Sequence, residues 1–433
     1  MKQNLKDELF LKYGKEAMVL PSNLLFPFKL LQPDSQAVPL ANPKTFINTI
    51  LDSPTGIAPF NEFFKEGNSV IIVVSDITRT TLSQLYLPVV VDRLNKIGIA
   101  DRDITLLCAL GIHRKQTEDE HRTLMGNTLY ERLRIQDHDP HDNSSMIILG
   151  ETKRGTPIAI NHLLTEADKI ILTGSIRFHY FAGFSGGRKS ILPGVASFNA
   201  CVGNHLLVLN KTGQGGRHPR AQPGLLQGNP VHEDMEEVAA LFNNLFLLNT
   251  VVSPEGRLLH AVAGNAAEAF KNGCQFLKDH FTIPLSSKAD LVIASCGGYP
   301  WDLNFIQAHK TMEMASGALK NGGVMILLAE CSQDFGNPSF LKWFTAATPK
   351  QFEDNLRKSY EINGQTAYAT FIKARKHQII LISRLKKDEV LAASMTPADT
   401  LEEALEKAYR TLGKRNPLTY VLPEGSSYLP YFV

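Results

Sequence analysis

The stretch SVIIVVSDITRTT, residues 69–81, decides the fold. It begins as an apolar, β-branched run with no polar alternation, the pattern of a strand buried on both faces. Such strands belong to parallel sheets covered by helices. The run ends in Asp76, Thr78 and Arg79, and an amphipathic segment at 85–97 follows with helical spacing. Working outward, ITLLCAL at 104–110, residues 146–149 and KIILT at 169–173 read as further strands, and 117–125 as a helix. Residues 232–242 and 266–280 read as helices on either side of the apolar run 245–252. Repeated strand-then-helix order predicts a mainly parallel sheet.

Beyond residue 283 the alternation restarts, with strands at 291–295, 324–329 and 378–383 and helices at 305–319, 351–362, 365–375 and 401–412. A chain of 433 residues exceeds one ordinary domain. We therefore expect an α/β protein of two domains, each a mainly parallel sheet flanked by helices, with the active site in the cleft between them. The expected boundaries are 1–282 for an N-terminal cofactor-binding domain and 283–412 for a C-terminal domain, hinged at 284–287. Residues 413–433, with a strand-like run at 419–422, are read as able to pack back on the first domain.

Composition narrows the function. A formal net charge of +2 and no aromatic-basic stripe argue against nucleic acid as a partner. No apolar run approaches the roughly 20 residues that cross a bilayer, so no membrane partner is expected. The first twenty residues are interrupted by charges and lack the apolar stretch of a signal peptide, so the expected location is cytoplasmic. Five scattered cysteines, without a CxxC pair, match neither a disulfide framework nor a structural zinc site. Cys108 and Cys296 fall in apolar runs and read as small core residues.

Four segments can carry chemistry. Asp76, Thr78 and Arg79 follow the first strand, where open α/β sheets bind ligands. An arginine there can hold a carboxylate or phosphate by two hydrogen bonds. Asp76 and Thr78 would serve equally as caps of the next helix. His113, in GIHR, ends the next strand in the corresponding place. The third segment is SIRFHYFAGFSGGRKSILPGVASFNACVGNH, 175–205, within a Gly-, Pro- and His-rich stretch longer than a structural loop requires. It holds His179, Arg188, Lys189 and His205. Residues 183–190 nearly fit a phosphate-binding GxxxxGK[ST] loop, which makes an NTPase or phosphotransferase the alternative reading, but Arg188 stands where the second glycine belongs. The spacing of the two histidines matches no standard zinc signature. A partly desolvated lysine can react with carbonyl-type carbon, and neutral histidine can ligate nickel or shuttle a proton. The fourth segment, GGYPWDLNFIQAHK at 297–310, places Gln307 and Lys310 on one helix face. Taken alone, a glycine turn, a helix cap and a solvated lysine account for it better.

In their order, SDxTR, GxH, H…GGRKS…H and GGYPxDxNxxQxxK resemble the nickel-dependent lactate racemase family over about residues 75–310. The resemblance implies a racemase or epimerase of 2-hydroxyacids. Its cofactor would be a nickel-pincer nucleotide, a pyridinium thioamide/thiocarboxylate mononucleotide covalently held by Lys189. It also implies His205 as the protein's nickel ligand and His113 and His179 as the acid/base pair. Asp76, Thr78 and Arg188 would lie beside the cofactor, and Arg79, Gln307 and Lys310 would hold the substrate. Maturation would need cofactor-synthesis proteins. The chemistry agrees with these roles. Hydride removal leaves a ketoacid planar at C2, to which hydride can return on either face, and no side chain accepts hydride. The hydroxyl proton needs a base on each side, and the carboxylate needs a cationic clamp. Ile306 stands where the lactate enzymes carry tyrosine, with His309 and Trp301 close by, so the substrate wall is expected to differ.

Overall fold

Val70 to Val74 are all buried, four of them at 1% exposure or less, and each such side chain removed from water contributes about 1.5–3 kcal/mol. That burial is possible only inside a sheet covered on both faces. The computed structural model describes residues 9–20, 27–33, 37–211, 214–361 and 363–432. The first eight residues of the charged N-terminal stretch lie outside them.

Val70–Ser75 is central in a six-stranded sheet. On one side it pairs with Ile104–Ala109, which pairs with Arg134–Asp137. On the other it pairs with Lys169–Ser175, followed by Leu245–Val252. These five strands are parallel, and Leu258–Gly264 closes one edge antiparallel. Chain order reverses direction between Val70–Ser75 and Lys169–Ser175, so a ligand site is expected at their carboxyl ends. The helix Ser83–Ile97 packs Tyr86, Leu87, Val90, Val91 and Leu94 into the core shared with these strands. The expected strand at 146–149 is real, as Met146–Glu151, but pairs only with Pro157–Asn161 in a separate hairpin. Its pattern is half-exposed, unlike the fully buried runs of the main sheet.

A second six-stranded sheet is wholly parallel, in the order Thr396–Ala398, Gln378–Ile382, Leu319–Leu328, Ala289–Ser295, Thr419–Leu422, Phe28–Leu30. Both sheets match the expected α/β class.

The expected domain limits are corrected. The chain divides into one unit of residues 37–208 and 218–280, and another comprising residues up to 36, 209–217 and 281–433. Thr419–Leu422 is buried at every position and pairs on both edges, with Ala289–Ser295 and with Phe28–Leu30. A four-residue apolar strand of this kind is stable only in a sheet interior, so 413–433 belongs to the second unit, as do the N-terminal strands. The expected hinge at 284–287 begins inside a strand, Thr282–Leu285, paired with Leu429–Phe432.

Candidate active site

Asp76 and His113 follow the ends of two central strands, while His179 lies in a short strand, Lys189 in a 3-10 turn and His205 on a helix. After Val70–Ser75 the chain turns on Asp76, whose Oδ1 accepts the Thr78 backbone N–H at 2.8 Å and the Thr78 hydroxyl. This is a local turn and not a helix cap, since the next helix starts at Ser83 with Leu82 as its N-cap and no side-chain cap bond. The other carboxylate oxygen, Oδ2, lies 2.8 Å from His113 Nδ1. Burial alone would raise the Asp76 carboxyl. The His113 hydrogen bond and the Arg79 charge outweigh it and hold the group well below the usual carboxylate range. An ionised carboxylate at Nδ1 keeps the proton there and leaves His113 Nε2 as an acceptor. The His113 ring remains 42% exposed, so a ligand can reach that nitrogen.

His179 is held the opposite way. It lies in the two-residue strand Phe178–His179, paired with Gly183–Phe184, and its Nδ1 accepts the Ala182 N–H at 3.2 Å. Neutral His179 therefore carries its proton on Nε2.

Lys189 sits in the short 3-10 turn Gly187–Ser190, the second turn of an abrupt reversal. Gly187 adopts φ +56° there, and a Cβ at that position would lie 2.7 Å from Phe270 Cδ2, so only glycine fits without displacement. The Gly187 N–H donates to Asn249 Oδ1 at 2.7 Å. Arg188 turns inward. Its guanidinium donates to the carbonyls of Phe184, Gly186 and Ala182 at 2.8–3.2 Å and stacks on Phe270. Arg188 thus clamps the loop, and what reaches Lys189 is its charge. Burial, then the charges of Arg188 and Arg79, hold the half-buried Lys189 amine well below an ordinary lysine. A larger neutral fraction makes it a better nucleophile.

His205 projects from the helix Phe198–Leu206, which Ser197 caps. It is 7% exposed, and burial, then the charges of Lys189 and His113, push it down to about 3. It is a neutral imidazole at any working pH, the form that binds metal. Phe181 joins the set. Its ring centroid is 4.6 Å from that of His179, 5.3 Å from that of His205 and 5.8 Å from Lys189 Nζ.

The other candidates occupy the second unit. Asn304 caps the helix Phe305–Ser316, and Lys310 Nζ donates to Gln307 Oε1 at 2.5 Å on its part-exposed face. Asp302 Oδ2 accepts the backbone N–H groups of Gly14 and Glu330. His309, expected near the substrate wall, is fully buried against Glu313 and lines nothing accessible.

Three residues escaped the sequence reading. Arg177 is held down to about 10 by burial and the Arg79 charge, adding a further cation to the Arg79–Lys189 group. Phe181 carried no signal of its own. Asn249 left one, as a polar residue beside Thr250 in the buried run LFLLNTVV.

The donor chemistry fits the implied cofactor. A nucleophilic lysine suits the covalent link, a neutral buried imidazole suits nickel, and clustered cations suit a phosphate and a carboxylate. The phosphate-loop alternative is not favoured, because a P-loop runs directly into an α-helix, whereas 183–190 ends in a 3-10 turn and the next helix starts at Phe198.

The fold is that of a two-unit α/β protein whose first unit carries the candidate histidines and a lysine held below its ordinary pKa. Residues 13–216 match the lactate racemase N-terminal domain family and residues 285–429 the lactate racemase C-terminal domain family. The lactate racemase of Thermoanaerobacterium thermosaccharolyticum is 34% identical over 387 residues, covering 88% of this chain and 89% of that protein. That of Lactiplantibacillus plantarum is 33% identical, covering 87% and 88%. The solved lactate racemase apoprotein from T. thermosaccharolyticum superposes with a TM-score of 0.87 at 31% identity, over 98% of this chain and 100% of that one. A Thermotoga maritima protein, 18% identical with a TM-score of 0.63, shares the fold. The chain belongs to the lactate racemase family of isomerases.

Proposed function

We propose that this protein interconverts the C2 stereoisomers of a 2-hydroxyacid through the 2-ketoacid, with a nickel-pincer nucleotide tethered to Lys189 and nickel held by His205. The carrying observation is the opposite polarity of the two histidines: Asp76 makes His113 Nε2 an acceptor, and Ala182 N–H makes neutral His179 an Nε2–H donor. When bound, the cofactor supplies the acceptor and donor of the C2 hydride.

The protein's own residues handle the rest. His113 takes the hydroxyl proton of the enantiomer that faces it, and Asp76 stabilises the imidazolium that forms. His179 Nε2–H donates to the substrate oxygen on the other side. To release that proton it must first be doubly protonated, when the Ala182 contact gives way. Arg79 fixes the carboxylate while C2 inverts, and Arg177 adds positive charge beside Arg79. Lactate, the substrate in the relatives' names, is the first compound to test, with larger 2-hydroxyacids next because Ile306 is not tyrosine. Cofactor-synthesis proteins in the cytoplasm complete the reading.

One labelling experiment tests it. Enantiopure substrate deuterated at C2, incubated with matured enzyme, should yield the opposite enantiomer with deuterium retained. Deuterium washed out to solvent would mean proton abstraction at carbon and contradict the proposal.

A further inference from the structure

Away from Lys189 and His205, the carboxyl ends of two outer strands carry another set of ligand-type side chains. Cys108 on Ile104–Ala109 and Asp137 on Arg134–Asp137 are register partners. His121 reaches them from the helix Glu118–Met125. One ligand atom from each of the three lies within 4.8 Å of the others. His121 Nε2 is 2.8 Å from Asp137 Oδ1, and their side chains are 16% and 11% exposed, while Cys108 is fully buried.

Each contact has an ordinary reading, a histidine–carboxylate pair beside a core cysteine. The combination does not. Thiol sulfur, imidazole nitrogen and carboxylate oxygen converge from two strands and a helix in one largely buried place. Gln116 Nε2 is also buried at this edge without a partner among the described residues. Thiolate, carboxylate and a doubly charged ion sum to neutrality, so a divalent cation bound by this set brings no net charge into a buried place.

We propose that Cys108, His121 and Asp137 form a second metal site, separate from the nickel centre and suited to a borderline-soft divalent ion of the zinc class. Sulfur, imidazole nitrogen and one carboxylate oxygen supply three of four tetrahedral positions, and water takes the fourth. On binding, the thiol proton leaves to solvent and the His121 proton moves to Nδ1, freeing the Nε2 lone pair. Asp137 Oδ2 keeps its hydrogen bond from the Gln116 N–H at 2.8 Å. Gln116 Oε1 in turn accepts the Ile77 N–H at 2.8 Å, next to Asp76. The ion therefore stiffens the 114–117 link that follows His113, from behind the Asp76–His113 pair.

The test uses the full-length chain made without cofactor, stripped of metal and dialysed against zinc alone, then against cobalt. The proposal expects one retained equivalent and, with cobalt, a near-ultraviolet thiolate-to-metal band. Losing a ligand should cost more than the roughly 10–100-fold that loss of an outer hydrogen-bond partner costs. His121→Ala and Cys108→Ser should therefore both lose the ion, with Cys108→Ser also losing the band, while His205→Ala keeps both. No retained metal, a band that survives Cys108→Ser, or an ion lost in His205→Ala would each overturn it. His121→Ala, on a part-exposed helix, keeps the test valid should Cys108→Ser misfold.

Discussion

His113 Nδ1 lies 2.8 Å from Asp76 Oδ2, and this contact decides which imidazole nitrogen faces the ligand. Asp76→Asn retains the shape and removes the charge that selects the tautomer. Racemisation should fall about 10²–10⁴-fold. A steady-state assay from one enantiomer checks it, and a loss below tenfold would remove Asp76 from the mechanism.

The same pair makes a stability prediction. The folded Asp76 carboxyl lies below its ordinary value of 3.8, so its stabilisation is present above that value and lost as pH falls below it. The denaturant midpoint of the parent should exceed that of Asp76→Asn at neutral pH, and the two should converge on acidification below about 3.8.

His205 works in the other direction. Its folded pKa is about 3 against 6.5 for the free side chain, so between those values the unfolded chain binds the extra proton and folding weakens as pH falls. His205→Gln removes this contribution. Across that window the apoprotein's stability should fall less steeply in the variant, by up to about 1.4 kcal/mol per pH unit for one proton. Equal slopes would mean that His205 is not the buried neutral group described.

The loop under Lys189 has its own test. Gly187→Ala forces a Cβ toward Phe270 at positive φ and should cost about 1–3 kcal/mol in chemical denaturation. Removing the Arg188 clamp as Arg188→Met deprives three carbonyls of a charged donor and should cost on the order of 2–3 kcal/mol. Limited proteolysis should then cut within 182–190 in the variant but not in the parent.

Lys189→Ala should abolish activity without lowering the melting temperature of the apoprotein, because it removes a cation held beside Arg79 and Arg188. Lys189→Arg should not restore activity, since guanidinium is no nucleophile at neutral pH.

The central strands were legible because a strand buried on both faces has no choice of residue: Val70 to Val74 and Ile170 to Leu172 read as strand in any context. Asp76 and His113 stood out as candidates because they fall just beyond apolar runs that read as strands, where open α/β sheets bind ligands. The domain boundary was hidden because Phe28–Leu30 is three residues long and its partner, Thr419–Leu422, lies nearly the whole chain away. Local periodicity carries no trace of that pairing. The inward turn of Arg188 was hidden for a related reason. Its place beside Lys189 is visible in the sequence, but the inward turn that spends it on carbonyls depends on Asn249 and Phe270 from distant elements.

The most direct test of the central claim is intact mass with metal analysis on protein co-expressed with cofactor-synthesis proteins and supplied with nickel. The account predicts a covalent adduct mapping to Lys189, accompanied by nickel that His205→Ala reduces. Unmodified, nickel-free protein, under conditions that mature a known lactate racemase, would contradict it.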